Sequence, residues 1–249
     1  MWTRCFPAMR KVRDMIAGGE IGKIVTVQGD FGWSTDGCGP EDRIWFPESG
    51  GMTLDIGMYM AQLGQVAFAN GTVQNIQAMG SKRNGVDHTV AANIQYSLTQ
   101  DDNKDNSTSS SDSADTGMLQ FYVTGEANTE ERVVIQGTTG RIVLDSPAHV
   151  PTTVRLYKDS GRGSADETVL EYPLPDDSYT TWNYPGSIGF HHQIEAVADA
   201  LRNDEKECRH FSWNDSLQVA SILDGILQQV HGADSMTHGD DTDDESISV

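Results

Sequence analysis

The sequence predicts an α+β domain built on one large, open, mostly antiparallel sheet with helices on one face. Three observations carry that expectation. Between Thr72 and Tyr172, seven short β-rich runs follow one another with turn residues, and no helical period, between them. Apolar residues at helical spacing occur only outside that block, twice before it and twice after it. The chain has 249 residues, 37% hydrophobic and 22% charged, enough to bury a substantial core.

The first helix starts at Pro7, which suits a first helical turn. It carries Ala8, Val12 and Met15/Ile16 at helical spacing and stops at Gly18-Gly19. Ile24–Phe31 is rich in β-branched residues and reads as a strand. A Gly/Pro-rich loop from Gly32 to Gly51 carries Trp33, Arg43, Trp45 and Phe46, and a second helix runs from about Met52 to Ala69.

The strand block comprises Val73–Met79, Thr89–Leu98, Met118–Thr124, Arg132–Gln136, Arg141–Leu144, Thr153–Tyr157 and Glu167–Tyr172. Gln136-Gly-Thr-Thr-Gly-Arg141 reads as a hairpin turn. Two helices close the domain. One, Phe190–Leu201, places Ile194, Val197, Ala198 and Leu201 on one face. The other follows Ser212-Trp-Asn-Asp215, a capping box with Asp in place of Glu, and presents Val219, Leu223, Ile226 and Val230 to the core. The expected organisation is a single domain over 1–232, interrupted by a disordered polar insertion at 100–117 and followed by an acidic, disordered tail at 233–249.

There are 17 Lys and Arg against 37 Asp and Glu, a net charge of −20. So acidic a chain repels phosphate backbones and anionic membranes, which argues against nucleic-acid and membrane partners. No apolar run approaches a membrane span. Cys5, Cys38 and Cys208 are too few and too scattered for a disulfide framework, which points to a reducing, cytoplasmic setting.

The most informative segment is Gly50-Gly51-Met-Thr-Leu-Asp55-Ile-Gly-Met-Tyr59. Asp55 and Tyr59 lie four apart, so a helix puts them on one face. Two glycines at its start allow a ligand or another backbone to come close. A phenol acts as an acid or base only with a nearby cation or ordered hydrogen bonds. Spacing alone favours Asp55 as a helix cap and Tyr59 as half-buried packing. His191 and Glu195 share a helix face, but no third donor stands at ligand spacing, so no metal is expected.

Four segments in register extend the reading: Trp2-Thr-Arg4-Cys-Phe-Pro7, Gly50-Gly51 with Asp55-Ile-Gly-Met-Tyr59, Gly137-Thr-Thr-Gly-Arg-Ile142, and Gly189-Phe190-His-His-Gln-Ile-Glu195. Together they resemble the C-terminal domain of the Gfo/Idh/MocA oxidoreductases. The resemblance is nearest to the dimeric dihydrodiol dehydrogenases and NADP-dependent D-xylose dehydrogenases, and it runs from Trp2 to about Gly232. It implies an NAD(P)-dependent oxidoreductase of the sugar or trans-dihydrodiol dehydrogenase type, with NADP or NAD as cofactor and a homodimer formed through the open sheet face. It implies Tyr59 as general acid/base with Asp55 orienting it, and Trp2, Arg4, Arg43 and Phe190 at the rim of substrate and cofactor. The cofactor-binding residues are not assigned. Where such relatives place an aromatic before Pro-Thr, this chain has His149-Val150, so the resemblance does not fix the exact substrate.

Two further motifs of such enzymes have no counterpart here. No Gly-x-Gly-x-x-Gly follows a first strand, and there is no Glu-Lys-Pro segment to supply the lysine that pairs with the tyrosine. The chain is therefore expected to represent the substrate and dimerisation half without an N-terminal Rossmann domain, and to be inactive alone. The alternative is a non-catalytic sugar-binding or dimerisation module of the same descent. Apolar residues at successive positions in Val133-Val134-Ile135 and Ile142-Val143-Leu144 suggest that both sheet faces carry apolar surface.

Overall fold

The computed structural model describes residues 1–98, 115–176, 181–182 and 184–232. A 3-10 turn at Trp2–Cys5 leads into α1 (Pro7–Ala17) and then β1 (Ile24–Gly32). After the Gly/Pro-rich loop, a π-helical turn (Thr53–Gly57) runs straight into α2 (Met58–Ala67). The strand block follows as β2 (Gly71–Arg83), β3 (Val86–Leu98), β4 (Thr116–Thr124), β5 (Val133–Gly137), β6 (Gly140–Leu144), β7 (Thr153–Gly161) and β8 (Ser164–Glu171). Helices α3 (Phe190–Arg202) and α4 (Trp213–His231) come last.

The eight strands form one sheet in the order β2-β3-β4-β1-β5-β6-β7-β8. Every pair is antiparallel except β1 with β4, which is parallel because β1 is inserted between two meanders, β2-β3-β4 and β5-β6-β7-β8. Period-2 alternation decides the faces. Val27 of β1 pairs with Leu119 and Ile135, and Ile142 pairs with Ile135 and Leu156, so one face carries a continuous apolar layer. Helices α2 and α4 pack over that layer, with Val219, Leu223 and Ile226 of α4 buried. Gln229 of α4 also binds the edge strand β2, accepting from Ala78 N and donating to Ile76 O at 2.8 and 2.7 Å. That pairing satisfies backbone groups an edge strand would otherwise leave open.

The opposite face carries no helix among the described residues and is more polar than the sequence suggests. Gln28, Gln120 and Asn93 form a side-chain ladder across β1, β4 and β3 at 3.0 and 2.9 Å. Val134 and buried Val143 do stand on this face, as do exposed Tyr122 and Met79 further along the sheet.

Helix α4 begins with the capping box read from the sequence: Ser212 Oγ accepts from Asp215 N, and Asp215 accepts from Ser212 N. The apolar face of α3 is turned outward, with Ile194 and Leu201 65% and 71% exposed. Two expectations need correction. Thr116 and Gly117 belong to β4 rather than to a polar insertion, because β3 pairs with β4 through Ser97 and Thr116. The helix expected over 52–69 opens as a π turn. The rest of the insertion, and the tail at 233–249, lie outside the described residues.

Candidate active site

Tyr59 is the second residue of α2, and a buried frame sets its position. Gly51 adopts φ +90, and a Cβ there would lie 2.1 Å from Asp87 Oδ1. Asp87, 1% exposed, accepts a 2.7 Å hydrogen bond from Thr53 N and so holds the first turn of the π segment. A Cβ at Gly50 would lie 2.3 Å from the Ile44 carbonyl oxygen. The two glycines thus admit protein backbone and a buried carboxylate rather than a ligand. Asp87 was not legible as a site residue, because nothing local marks a strand aspartate as the cap of a helix 34 residues upstream.

The phenol oxygen of Tyr59 accepts a 2.9 Å hydrogen bond from Trp2 Nε1. Trp2 stacks on Phe190, with ring centroids 4.2 Å apart, so α3 and the N-terminal turn meet beside Tyr59. On the other side stand Phe31 and His149, 5.5 and 5.6 Å from the Tyr59 ring. His149 stacks on Phe31 at 4.7 Å. Its Nδ1 pairs with Glu131 at 2.7 Å, and its carbonyl accepts from the Thr3 hydroxyl. Glu131 has a left-handed backbone (φ 54) and is fixed through its amide to Asp30. Tyr59 is therefore framed by Trp2, Phe31, His149 and Phe190.

Burial pushes the Tyr59 pKa above the ordinary phenol value. The Trp2 hydrogen bond opposes that shift, while the charges of Asp55 and Glu131 add to it. The phenol is thus held protonated and able to donate.

The residues expected at the rim divide into three places. Trp2 and Phe190 join Tyr59, as described. Asp55 and Arg43 form a separate pair: Arg43 Nη1 lies 2.5 Å from Asp55 Oδ1, and Trp33 Nε1 donates to Asp55 Oδ2 at 3.2 Å. Among the described residues Asp55 has no hydrogen bond to the Tyr59 phenol. Both carboxylate oxygens of Asp55 are held instead by Arg43 and Trp33. Arg4 is 3% exposed and points away from the rim, bonding Gln62 and Gln65 and lying 3.8 Å from Asp215. Phe31 was missed as a site residue, and His149 was singled out only for the aromatic it replaces; the available signal for Phe31 was the alternation of β1.

The described residues contain no strand, glycine-rich turn and helix in succession that would cradle the pyrophosphate of a dinucleotide, since β1 leads into a loop.

The family model described as the GFO/IDH/MocA C-terminal domain matches residues 9–143. A trans-1,2-dihydrobenzene-1,2-diol dehydrogenase of Oryctolagus cuniculus is 27% identical over 233 residues, covering 92% of this chain and 62% of its own length. A D-xylose 1-dehydrogenase (NADP(+)) of Hypocrea jecorina is 23% identical, covering 92% of this chain and 58% of its own. Among solved structures, a levoglucosan dehydrogenase in complex with NADH and levoglucosan superposes with a TM-score of 0.66 at 20% identity, over 92% of this chain and 62% of that one. The chain thus spans less than two thirds of the length of these relatives.

Proposed function

The chain belongs to the GFO/IDH/MocA family, and from that premise we propose that it is the substrate-binding part of an NAD(P)-dependent oxidoreductase acting on a hydroxyl-bearing carbon of a sugar or trans-dihydrodiol. The observation that carries this reading is the Tyr59 phenol, held protonated at the end of an aromatic wall and tied to Trp2. The dinucleotide supplies hydride exchange with the substrate carbon when bound.

This chain's residues do the rest. Tyr59 donates its proton to the substrate oxygen in the reduction direction and accepts it back in oxidation. Trp2 occupies one acceptor position of the phenol oxygen and so fixes the direction of its O–H. Trp2 and Phe31 are buried and exclude water from the phenol, and half-buried Phe190 gives a flat sugar or ring face an apolar surface. Asp55, paired with Arg43, contributes charge rather than contact. Arg43 is exposed enough to reach a polyol, whereas Arg4 secures the floor of the fold.

Self-association through the uncovered sheet face belongs to the same reading. Tyr122, Met79 and Val134 supply apolar contact there, and the Gln28-Gln120-Asn93 ladder supplies hydrogen-bonding register.

The test is a titration of the chain with D-xylose and with a trans-dihydrodiol, read by intrinsic tryptophan fluorescence. Saturable quenching that Trp2→Phe abolishes supports the reading. No saturable response to any polyol or diol, or one unchanged in Trp2→Phe, contradicts it.

A further inference from the structure

The geometry points to a second binding site, for a small organic phosphate, in the groove between α1 and the start of α4. This inference does not depend on the oxidoreductase reading. The groove has a volume of about 820 Å³ and is lined by Arg4, Arg10, Arg13, Arg209 and His210. A chain with 17 Lys and Arg and a net charge of −20 thus gathers four guanidiniums into one concavity.

The carboxylates nearby neutralise them only in part, through Asp215 beside Arg4 and Glu205 beside Arg209. Asp215 lies 3.8 Å from Arg4, but its other oxygen caps α4 through Ser212. Glu205 is 3.8 Å from Arg209, beyond hydrogen-bond length. On α3, Glu195 is paired with His191 and Asp199 with Arg202. Asp14, also on the groove wall, makes no ion pair among the described residues, and neither do Arg10 and Arg13.

Two further features mark the cluster as unsatisfied. Arg4 Nε is buried without a hydrogen-bond partner among the described residues. The His210 imidazole sits below its ordinary pKa, first through burial and then through Arg10, Arg13, Arg209 and Arg4, with no carboxylate acting the other way.

Arginine forks match phosphate oxygens bidentately, and they do so best where other anions are scarce. The groove also presents Ile16, Ile24 and Phe68, so the carbon part of a ligand meets apolar wall while its phosphate meets the arginines. That combination favours a phosphomonoester or diphosphate of a small organic group over a free inorganic ion or a polyanionic chain.

The probes are inorganic pyrophosphate and glucose 6-phosphate, titrated calorimetrically into the full chain at constant ionic strength. Arg10 is exposed and Arg13 partly exposed on α1, so the double variant Arg10→Ala/Arg13→Ala leaves the core intact. Lys11→Ala on the same helix, outside the groove, removes the same kind of charge as a control. Saturable binding is expected, weakened more than about tenfold in the double variant and unchanged in Lys11→Ala. In the wild-type chain the His210 ring resonances shift in step with binding, which gives a second readout that does not depend on any variant. No saturation up to about 10 mM, equal loss in Lys11→Ala, or equal affinity for citrate overturns the proposal.

Discussion

Trp2 Nε1 donates a 2.9 Å hydrogen bond to the Tyr59 phenol oxygen and joins two segments 57 residues apart. The same indole stacks on Phe190, so one side chain couples the N-terminal turn, α2 and α3 around the phenol. The donor favours the phenolate, against burial, which favours the phenol. Trp2→Phe keeps the ring and removes the donor. The Tyr59 pKa should then rise further. Ultraviolet titration of phenolate absorbance, with Tyr59→Phe as the blank, checks the direction.

The frame under the site rests on Gly51. At φ +90 an alanine is strained, and its Cβ would collide with the carboxylate of Asp87. Gly51→Ala should destabilise the domain by about 1–3 kcal/mol, measured by urea denaturation. Wild-type stability in that variant would mean that Asp87 is not what holds the π turn.

Most of the fold is legible in the sequence because it is written in local periods. All eight strands and four helices fall where alternation, helical spacing and turn residues put them, and Ser212 with Asp215 marks a helix start that the structure contains. What is not legible is what faces what. Ile194, Val197 and Leu201 make an amphipathic stripe on α3, yet period alone cannot say whether a core lies against it. Arg4 follows Trp2 closely in sequence, but Trp2 reaches the Tyr59 phenol while Arg4 turns to Gln62 and Gln65 further along α2. Asp55 and Tyr59 lie four apart, but spacing cannot show that Arg43 and Trp33 claim the Asp55 carboxylate while Trp2 claims the phenol.

The capping box of α4 satisfies two backbone donors with short side chains. Ser212→Ala removes the acceptor for Asp215 N and should cost about 1 kcal/mol in thermal or urea unfolding. A change near zero would place the stability of α4 wholly in its packing on β2 and α2.

His192 and His210 both have pKa values below the ordinary imidazole value, each first through burial. Their neutral forms are favoured in the folded state, so their contribution to stability is complete above about pH 6.5 and is lost as pH falls through the depressed folded values. Stability should therefore decline on acidification below neutrality, and His192→Gln/His210→Gln should flatten that slope. An unchanged slope in the double variant would show that other groups set it.

The uncovered sheet face offers a direct check on assembly. Asn93→Lys with Tyr122→Asp places charges in the middle of the polar ladder and should convert a dimer to a monomer in light scattering, with no change in far-ultraviolet circular dichroism. A wild-type chain that is already monomeric at micromolar concentration would contradict association through this face.

The central claim is that Tyr59 exchanges a proton with the substrate oxygen. The most direct measurement joins the chain to a dinucleotide-binding domain of a relative and follows NADP reduction with D-xylose or a trans-dihydrodiol, comparing Tyr59 with Tyr59→Phe. The account predicts turnover in the former and a loss of at least about a hundredfold in the latter, with little change in substrate binding. Full turnover in Tyr59→Phe would contradict it.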